Sequence, residues 1–244
     1  MKALILAAGY ATRLYPLTKD FPKPLLKVGS KPIINFVVEK IERLKEVDEI
    51  IVVTNRKFIS YFKRWAKGLK TRKKLAVVDD LTKSLTDRRG AVGDMCFVVE
   101  KRNIKDDLLV VGGDNLFDYD LRGFISFAQV NKMNPAIGAY DIKDLRKAGH
   151  YGVVKVNKKM KVIDFQEKPD RPNSTCVAMC LYYFPKNSIS LIKEYAKGGN
   201  HRFDATGSYI DWLRKRLPVY AYIFEGKWFD IGSIRFYNEA KKRF

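Results

Sequence analysis

Residues 6–25, LAAGYATRLYPLTKDFPKPL, join an apolar segment to a loop of small residues, one arginine and three prolines. The run ALILA at residues 3–7 predicts a buried strand that leads into this loop. The small residues around Gly9 would let backbone N–H groups approach an anion, and Arg13 adds a planar, two-pronged phosphate donor. Its glycine spacing matches neither a Walker loop nor GxGxxG. The stretch therefore predicts a strand that opens into an anion-binding loop of another kind.

Apolar, β-branched runs alternate with helical periods through the first half of the chain. Strands are predicted at 3–7, 49–53, 74–78, 108–113 and 135–140, with helices near 32–45, 56–67, 90–101 and 121–132. Pro32 is expected just inside the start of the first helix. This alternation indicates a mainly parallel sheet with helices on both faces.

The second half of the chain changes character. Antiparallel strands are predicted at 151–156, 161–166 and 176–184, helices near 187–197 and 204–216, a strand at 219–224 and a last helix from about 233. No low-complexity linker or internal repeat separates the halves, so we expect one core within a single domain spanning 1–244. The predicted fold class is α/β, with three Rossmann-like α/β/α layers, a mainly parallel mixed sheet and a smaller antiparallel lobe.

Charge, cysteine spacing and apolar runs limit the partners and the location that the protein can be expected to have. Forty-seven basic against 27 acidic residues give a net charge of +20, which suits nucleic acid, an acidic membrane surface or small anionic substrates. The basic residues are scattered and no nucleic-acid-binding motif occurs, which favours solvated surface lysines over a nucleic-acid footprint. Cysteines at 96, 176 and 180 form no CxxC pair, and no apolar run has the length of a membrane span. We expect a cytoplasmic protein with no membrane partner.

Several polar residues follow the predicted strands, and ligands of open α/β sheets bind at the carboxyl ends of strands. Asp114 follows a glycine pair and suits a Mg²⁺ ion that is held by one or two carboxylates and by substrate phosphates. Lys23 stands between two prolines that stiffen its backbone. Glu167 and Lys168 offer a hydrogen-bond acceptor beside a phosphate donor. Asp230, just before the last helix, either caps that region or supplies a second metal carboxylate.

Five ordered motifs spanning nearly the whole chain resemble those of the sugar nucleotidyltransferases, also called nucleoside-diphosphate-sugar pyrophosphorylases, and particularly the glucose-1-phosphate thymidylyltransferases. They are LAAGYATRLYPLTKDFPKP, GGDN, YGVV, EKP and WFDIGS. The resemblance implies a nucleotidyltransferase fold with a nucleotide-binding part at about 1–115 and a sugar-phosphate-binding part at about 116–244. It also implies that the C-terminal β-helix domain of some relatives is absent.

The resemblance implies a role for each matching position. Nucleotide binding would involve Ala8, Gly9, Tyr10, Ala11, Thr12, Arg13, Lys23, Thr86, Asp87, Gly90 and Asp114. The sugar phosphate would contact Tyr151, Gly152, Glu167 and Lys168. The catalytic residues would be Arg13, Lys23, Asp114 and Asp230. Of these, Asp114 and Asp230 would share Mg²⁺ while an oxygen of the sugar phosphate attacks the α-phosphorus in line.

Three departures from the family pattern stand out. Ala11 replaces a second glycine, for which we expect a small adjustment of the loop without loss of binding. The base-recognition segment DDLTKSLTDRRGAVGDM at 79–95 differs from its thymidylyltransferase counterpart, and Gly90 is expected at the corresponding turn. The run VAMCLYYF lacks a glycine that relatives often carry, so this part of the expected sugar pocket departs from the family pattern.

The leading functional hypothesis is Mg²⁺-dependent nucleotidyl transfer from a nucleoside triphosphate to a sugar 1-phosphate, giving an NDP-sugar and pyrophosphate. One alternative is a cytidylyltransferase that acts on a phosphorylated alcohol such as phosphocholine. The other is a non-catalytic nucleotide- or nucleic-acid-binding module. The sequence leaves open the base, the sugar and any association into homo-oligomers.

Overall fold

A computed structural model describes residues 1–131, 133–198 and 205–243. The strands are β1 (Lys2–Leu6), β2 (Lys27–Val28), β3 (Lys31–Pro32), β4 (Glu49–Thr54), β5 (Lys74–Asp79), β6 (Leu108–Gly112), β7 (Asn115–Phe117), β8 (Ala136–Asp141), β9 (Gly152–Val156), β10 (Val162–Glu167), β11 (Cys176–Phe184), β12 (Tyr220–Phe224) and β13 (Trp228–Asp230). The helices are α1 (Ile33–Glu42), α2 (Ile59–Gly68), α3 (Gly90–Lys101), α4 (Arg122–Val130), α5 (Leu145–Ala148), α6 (Ile189–Lys197), α7 (Thr206–Arg214) and α8 (Ile234–Arg243).

The main sheet, within the described residues, has nine strands. Its path runs β10-β9-β11-β6-β1-β4-β5, with β8 paired to β11 and β12 paired to β8. The pairs joining β1 to β4, β1 to β6 and β4 to β5 are parallel, whereas β9, β10 and β11 pair antiparallel. The predicted antiparallel strands therefore extend the parallel sheet, and both halves of the chain share it.

Two apolar clusters cover the two faces of this sheet. Alternate side chains of β1 belong to different clusters. Ile5 packs with α1, α2 and α4, whereas Leu4 packs with α3, α6 and α7. Both side chains are fully buried, as expected for a strand with helices on either face. The prediction of a three-layer α/β fold is confirmed.

The structure corrects several details of the predicted elements. Pro32 ends β3 and occupies the N-cap position immediately before the first residue of α1. The prediction that it lies just inside the helix was therefore wrong by one residue. Short elements, namely β2, β3, β7, β13 and α5, were not predicted. No helix in the described ranges is both long and apolar enough to cross a membrane.

Candidate active site

The loop after β1 lies across the carboxyl edge of the parallel strands. Ala7 N–H donates to the Val53 carbonyl at 2.9 Å, and Gly113 N–H donates to the Leu6 carbonyl at 2.9 Å. The buried Asn55 donates through Nδ2 to the Ala8 carbonyl at 2.8 Å. These contacts fix the loop on three neighbouring strands, and Asn55 is a positioning residue that the motifs did not indicate.

This loop borders a cavity of about 520 Å³. The predicted nucleotide-binding residues in its lining are Ala8, Gly9, Tyr10, Ala11, Thr12, Arg13, Lys23, Gly90 and Asp114. The structure therefore brings together residues from the first loop, from the turn that starts α3 and from the end of β6. We call this space the first cavity.

Thr86 and Asp87, also predicted to bind the nucleotide, lie outside the lining of the first cavity. The Asp87 carboxylate accepts hydrogen bonds from the backbone N–H groups of Lys83 and Ser84, and these bonds lower its pKa. The Thr86 hydroxyl shares a 2.9 Å hydrogen bond with Ser84. Both side chains organise their own loop, while Leu85, Arg88 and Arg89 reach the cavity.

Lys23 forms the central ion pair of the site. Its Nζ lies 2.7 Å from Oδ2 of Asp114, and the residue is only 8% exposed. Burial alone would raise the pKa of Asp114, but the charge and hydrogen bond of Lys23 outweigh it and the pKa is lowered. The Asp114 carboxylate therefore remains ionised beside Lys23 in the lining of the first cavity.

A second cavity of about 650 Å³ adjoins the first. Its lining includes the predicted sugar-phosphate residues Tyr151, Gly152, Glu167 and Lys168. Arg13, Lys168, Cys180 and Gly232 line both cavities. Two basic side chains, Arg13 and Lys168, thus stand at the junction of the two cavities.

Asp230 lines the second cavity and belongs to a short antiparallel strand pair. In the register of β13 with β7, Asp230 lies opposite Asn115, which follows Asp114 directly. Asn115 accepts a 2.8 Å hydrogen bond from Trp228 Nε1 and donates to the Met179 carbonyl of β11. Asn115 therefore holds three strands together and sets the relative positions of the two carboxylates.

Electrostatics distinguish the two carboxylates. Burial raises the pKa of Asp230, the charge of Asp114 raises it further, and Lys23 and Arg13 act against the rise. Burial also raises the pKa of Tyr151 to about 12, with Asp230 adding to the shift. Asp230 therefore lies in a low-dielectric environment in which a nearby cation would be strongly favoured.

The two carboxylates fit a hard divalent cation. The described residues contain no group of three or more His, Cys, Asp or Glu side chains that could hold a metal by themselves. Mg²⁺ commonly binds one or two carboxylates, with water and substrate phosphate oxygens completing its octahedron. Asp114 and Asp230 are the two carboxylates at this site that could hold such an ion together with substrate phosphates.

Ala11, where the resemblance implies a glycine, and Cys180, within the run VAMCLYYF, both have left-handed backbone. Ala11 has φ 48° and Cys180 has φ 51°, a region that costs a non-glycine residue roughly 1–2 kcal/mol. The Ala11 carbonyl accepts hydrogen bonds from the Thr18 hydroxyl at 2.8 Å and from Leu14 N–H at 2.9 Å. The chain therefore retains a glycine-like geometry without glycine, and the Cys180 side chain becomes part of both cavity walls.

Glu167 depends on small neighbours for its place in the second cavity. A Cβ at Gly207 would overlap the Glu167 carboxylate and would lie 2.6 Å from a ring carbon of Phe165. Burial raises the pKa of Glu167, while Lys168 opposes the rise. Gly207, near the start of α7, was not among the predicted residues, and only the three-dimensional contact reveals its role.

Replacing Gly207 with alanine is expected to displace Glu167 and Phe165 and to weaken binding of a sugar 1-phosphate by about tenfold or more. Overpacking should also lower the free energy of unfolding by about 1–3 kcal/mol. Gly68→Ala is the matched control, because a Cβ there meets no atom within 4 Å. Calorimetric titration and urea denaturation measure both effects. Equal behaviour of the two variants would contradict this account of Gly207.

Asp80 and Asp94 form a buried acid pair in the lining of the first cavity. They are 1% and 5% exposed and share a hydrogen bond. Burial first, and the charge of Asp80 second, raise the pKa of Asp94 to about 8, with Arg89 opposing. Asp94 is therefore protonated at neutral pH and donates to Asp80. Both residues lie in the segment 79–95 that departs from the family pattern, but their spacing in the sequence does not indicate that they form a pair.

The acid pair predicts a pH-dependent stability. An unfolded Asp94 releases its proton near 3.8, whereas the folded protein retains it to about pH 8. The free energy of unfolding should therefore fall with rising pH, by at most about 1.4 kcal/mol per pH unit between these values. Asp94→Asn removes this term and keeps a donor toward Asp80, so its stability relative to the native chain should increase from about pH 5 to 7.

Urea denaturation at several pH values measures this difference, with the exposed Glu46→Gln as a control that leaves the profile unchanged. Parallel profiles for the native chain and Asp94→Asn would show that the acid pair does not retain the proton.

The fold places two adjoining cavities at the carboxyl edge of a parallel sheet, which is where open α/β sheets bind their ligands. A family model described as Nucleotidyl transferase matches residues 2–244, and the chain belongs to this family.

Comparison with individual proteins agrees with that assignment. The chain is 29% identical over 245 residues to the bifunctional protein GlmU of Methanocaldococcus jannaschii, covering 99% of this chain and 54% of that protein. It is 32% identical over 256 residues to a UTP–glucose-1-phosphate uridylyltransferase of Synechocystis, covering 98% of this chain and 62% of the relative. The chain thus spans about half to three-fifths of the length of such curated relatives.

Solved structures share the fold at lower identity. A putative glucose-1-phosphate thymidylyltransferase from Bacillus anthracis, crystallised with sucrose, superposes with a TM-score of 0.82 at 24% identity, covering 100% of this chain and 94% of that one. A UDP-glucose pyrophosphorylase complexed with UDP-glucose gives a TM-score of 0.81 at 24% identity, covering 99% and 97%. These likenesses confirm the predicted nucleotidyltransferase fold.

Proposed function

We propose that the chain transfers a nucleotidyl group from a nucleoside triphosphate to a sugar 1-phosphate and releases pyrophosphate. The observation that carries this proposal is the pair of adjoining cavities that share Arg13 and Lys168. The Lys23–Asp114 ion pair lies at the first cavity, and Asp230 lines the second. Two polyanions can react only when cations offset their mutual repulsion, and these residues provide that environment.

In this proposal the triphosphate lies against the backbone of the first loop, and Arg13 and Lys23 neutralise its charge. The sugar 1-phosphate occupies the second cavity, where Lys168 contacts its phosphate and Glu167 accepts hydrogen bonds from sugar hydroxyls. The nucleotide therefore contacts mainly residues of 1–115, and the sugar phosphate contacts mainly residues of 116–244.

The reaction is a single in-line displacement. An oxygen of the sugar phosphate forms a bond to the α-phosphorus while the bond between that phosphorus and the bridging oxygen to the β-phosphorus breaks. Pyrophosphate leaves with the electron pair, so no covalent intermediate on the protein is required. Asp114 and Asp230 would hold a Mg²⁺ ion, which when bound supplies charge neutralisation and orientation of phosphate oxygens.

A substrate panel tests the proposal. Each of ATP, GTP, CTP, UTP and dTTP is combined with glucose 1-phosphate, mannose 1-phosphate or phosphocholine in the presence of Mg²⁺, and products are identified by mass spectrometry. We expect pyrophosphate and an NDP-sugar from at least one sugar pair. Product from phosphocholine alone would favour the cytidylyltransferase alternative. Salt-dependent binding of duplex DNA or RNA without turnover would favour a nucleic-acid-binding module.

A further inference from the structure

The solvent-facing side of α2 and the segment that follows it are strongly basic. Residues 56–74, RKFISYFKRWAKGLKTRKK, contain nine basic residues and no acidic one. Lys63, Arg64 and Lys67 are exposed at helical spacing. Phe62, on the opposite side of the helix, is fully buried in the core. The helix therefore presents a stripe of cations to solvent and its apolar side to the sheet.

Contacts within the protein account for only three of these nine cations. Arg56 and Lys57 each pair with an aspartate, and Lys73 donates to two backbone carbonyls. The other six side chains are exposed and have no ion pair or hydrogen bond with any described residue. We call them the basic face, and they are Lys63, Arg64, Lys67, Lys70, Arg72 and Lys74.

Like charges on α2 repel each other. Lys63 and Lys67 stand four residues apart, and Arg64 and Lys67 stand three apart, so both pairs are neighbours on the helix surface. Like-charge pairs at these spacings destabilise a helix, and α2 contains no acidic residue to offset them. A bound polyanion would remove this repulsion.

The substrates of the proposed function leave the basic face unpaired. None of its residues lines either cavity. Lys74 is the first residue of β5, which runs parallel to β4, so it lies at the amino end of the strand. The cavities lie at the carboxyl edge of the same sheet. A second anionic partner is therefore needed to explain these cations.

The lack of exposed apolar side chains favours nucleic acid over a membrane surface. No large hydrophobic side chain between residues 56 and 79, all of which the structure describes, is exposed. A helix that lies in a membrane buries its apolar side in lipid, and that side of α2 already packs against the sheet.

The geometry of α2 suits a phosphate backbone. Its ten residues extend about 15 Å, and a nucleic-acid duplex carries roughly nine phosphate charges over that length. Binding of this kind is driven by the release of counterions and reads no bases. The lack of a nucleic-acid-binding motif in the sequence is therefore consistent with it.

We propose that the basic face binds nucleic acid through its phosphate backbone, without reading the base sequence. Four phosphate contacts would make the affinity fall about a hundredfold between 50 and 200 mM salt. This binding goes beyond nucleotidyl transfer and does not depend on it, because the two use different surfaces of the protein.

Fluorescence anisotropy tests the proposal, with a labelled 20-base-pair DNA duplex titrated with the full chain at 50, 100 and 200 mM KCl. No substrate is present, so the result does not depend on turnover. The triple variant Lys63→Gln, Arg64→Gln, Lys67→Gln should lower the affinity at 100 mM KCl by about tenfold or more. It should also reduce the slope of log affinity against log salt by about three. A duplex of unrelated sequence should give the same values.

The matched control is Lys158→Gln, Lys159→Gln, Lys161→Gln, which removes the same charge from exposed positions between β9 and β10. Its duplex affinity should stay within threefold of that of the native chain. Circular dichroism and the rate of nucleotidyl transfer should be unchanged in both triple variants, which shows that the α2 variant folds.

Equal loss of duplex binding in the two triple variants would overturn the proposal, because net charge alone would then explain it. Absence of duplex binding by the native chain at 50 mM KCl would also overturn it. Sedimentation with phosphatidylglycerol vesicles is the third test. Tighter binding to these vesicles than to the duplex, lost in the α2 variant, would assign the basic face to a membrane surface instead.

Discussion

Replacing Lys23 with methionine is expected to lower kcat by about two to three orders of magnitude, the range for loss of one preorganised electrostatic group. Methionine keeps much of the length of the apolar stem but removes the charge that lies 2.7 Å from Asp114. The reacting phosphates would then lose a buried cation that was fixed before they bound. Binding of the nucleotide base should change little, so the loss should appear mainly in kcat.

Lys27→Met is the matched control, because Lys27 is exposed and lies four residues further along the chain. Steady-state kinetics with the substrate pair found in the panel measure both variants, and circular dichroism checks that they fold. Activity of Lys23→Met within a factor of three of the control would remove Lys23 from the reacting centre.

Asp230→Asn is expected to lower kcat by two to three orders of magnitude and to raise the Mg²⁺ concentration needed for half-maximal rate. The same substitution should leave thermal stability unchanged or raise it. The pKa of Asp230 is raised by burial and by Asp114, so the charged form is costly in the folded protein without a cation. Loss of activity without loss of stability separates a functional carboxylate from a structural one.

The exposed Asp106→Asn provides the control for removal of a single carboxylate. A Mg²⁺ titration of the rate, and melting curves recorded with and without EDTA, give the two readouts. A variant with full activity and an unchanged Mg²⁺ requirement would remove Asp230 from the metal site. Because Asp114 is expected to bind the same ion, the loss in an Asp114→Asn, Asp230→Asn double variant should be smaller than the product of the single losses.

Much of the sheet could be predicted because each buried strand carries its own signal. The runs at 3–7, 49–53, 74–78 and 108–113 are apolar and β-branched, and all four lie in adjacent parallel strands of the structure. The pairing of β7 with β13 could not be predicted in this way. Each has three residues, and their pairing depends on contacts of Asn115 with Trp228 and Met179, far apart along the chain.

The residues of the candidate site likewise divide into those that the sequence could predict and those that it could not. Lys23, Asp114 and Glu167 stand in motifs whose order along the chain is informative, so their convergence was expected. For Thr86 and Asp87, nucleotide binding was implied by the resemblance. In the structure the Asp87 carboxylate accepts hydrogen bonds from backbone N–H groups of its own loop, a contact that the motif pattern did not indicate.

The acid pair could not be anticipated from spacing. Asp80 and Asp94 are separated by the whole loop between β5 and α3, and their contact depends on how that loop returns the chain to the sheet edge. Sequence patterns report periodicity and local capping, but they do not report which of several polar residues in a long loop turns inward.

The most direct test of the central claim follows the two ends of the triphosphate separately. The chain is incubated with Mg²⁺, its sugar 1-phosphate and a nucleoside triphosphate labelled with ³²P at either the α- or the γ-position. The proposed displacement places the α-label in the NDP-sugar and the γ-label in pyrophosphate. Appearance of the γ-label on the sugar phosphate, or of the α-label only in free nucleoside monophosphate, would contradict nucleotidyl transfer.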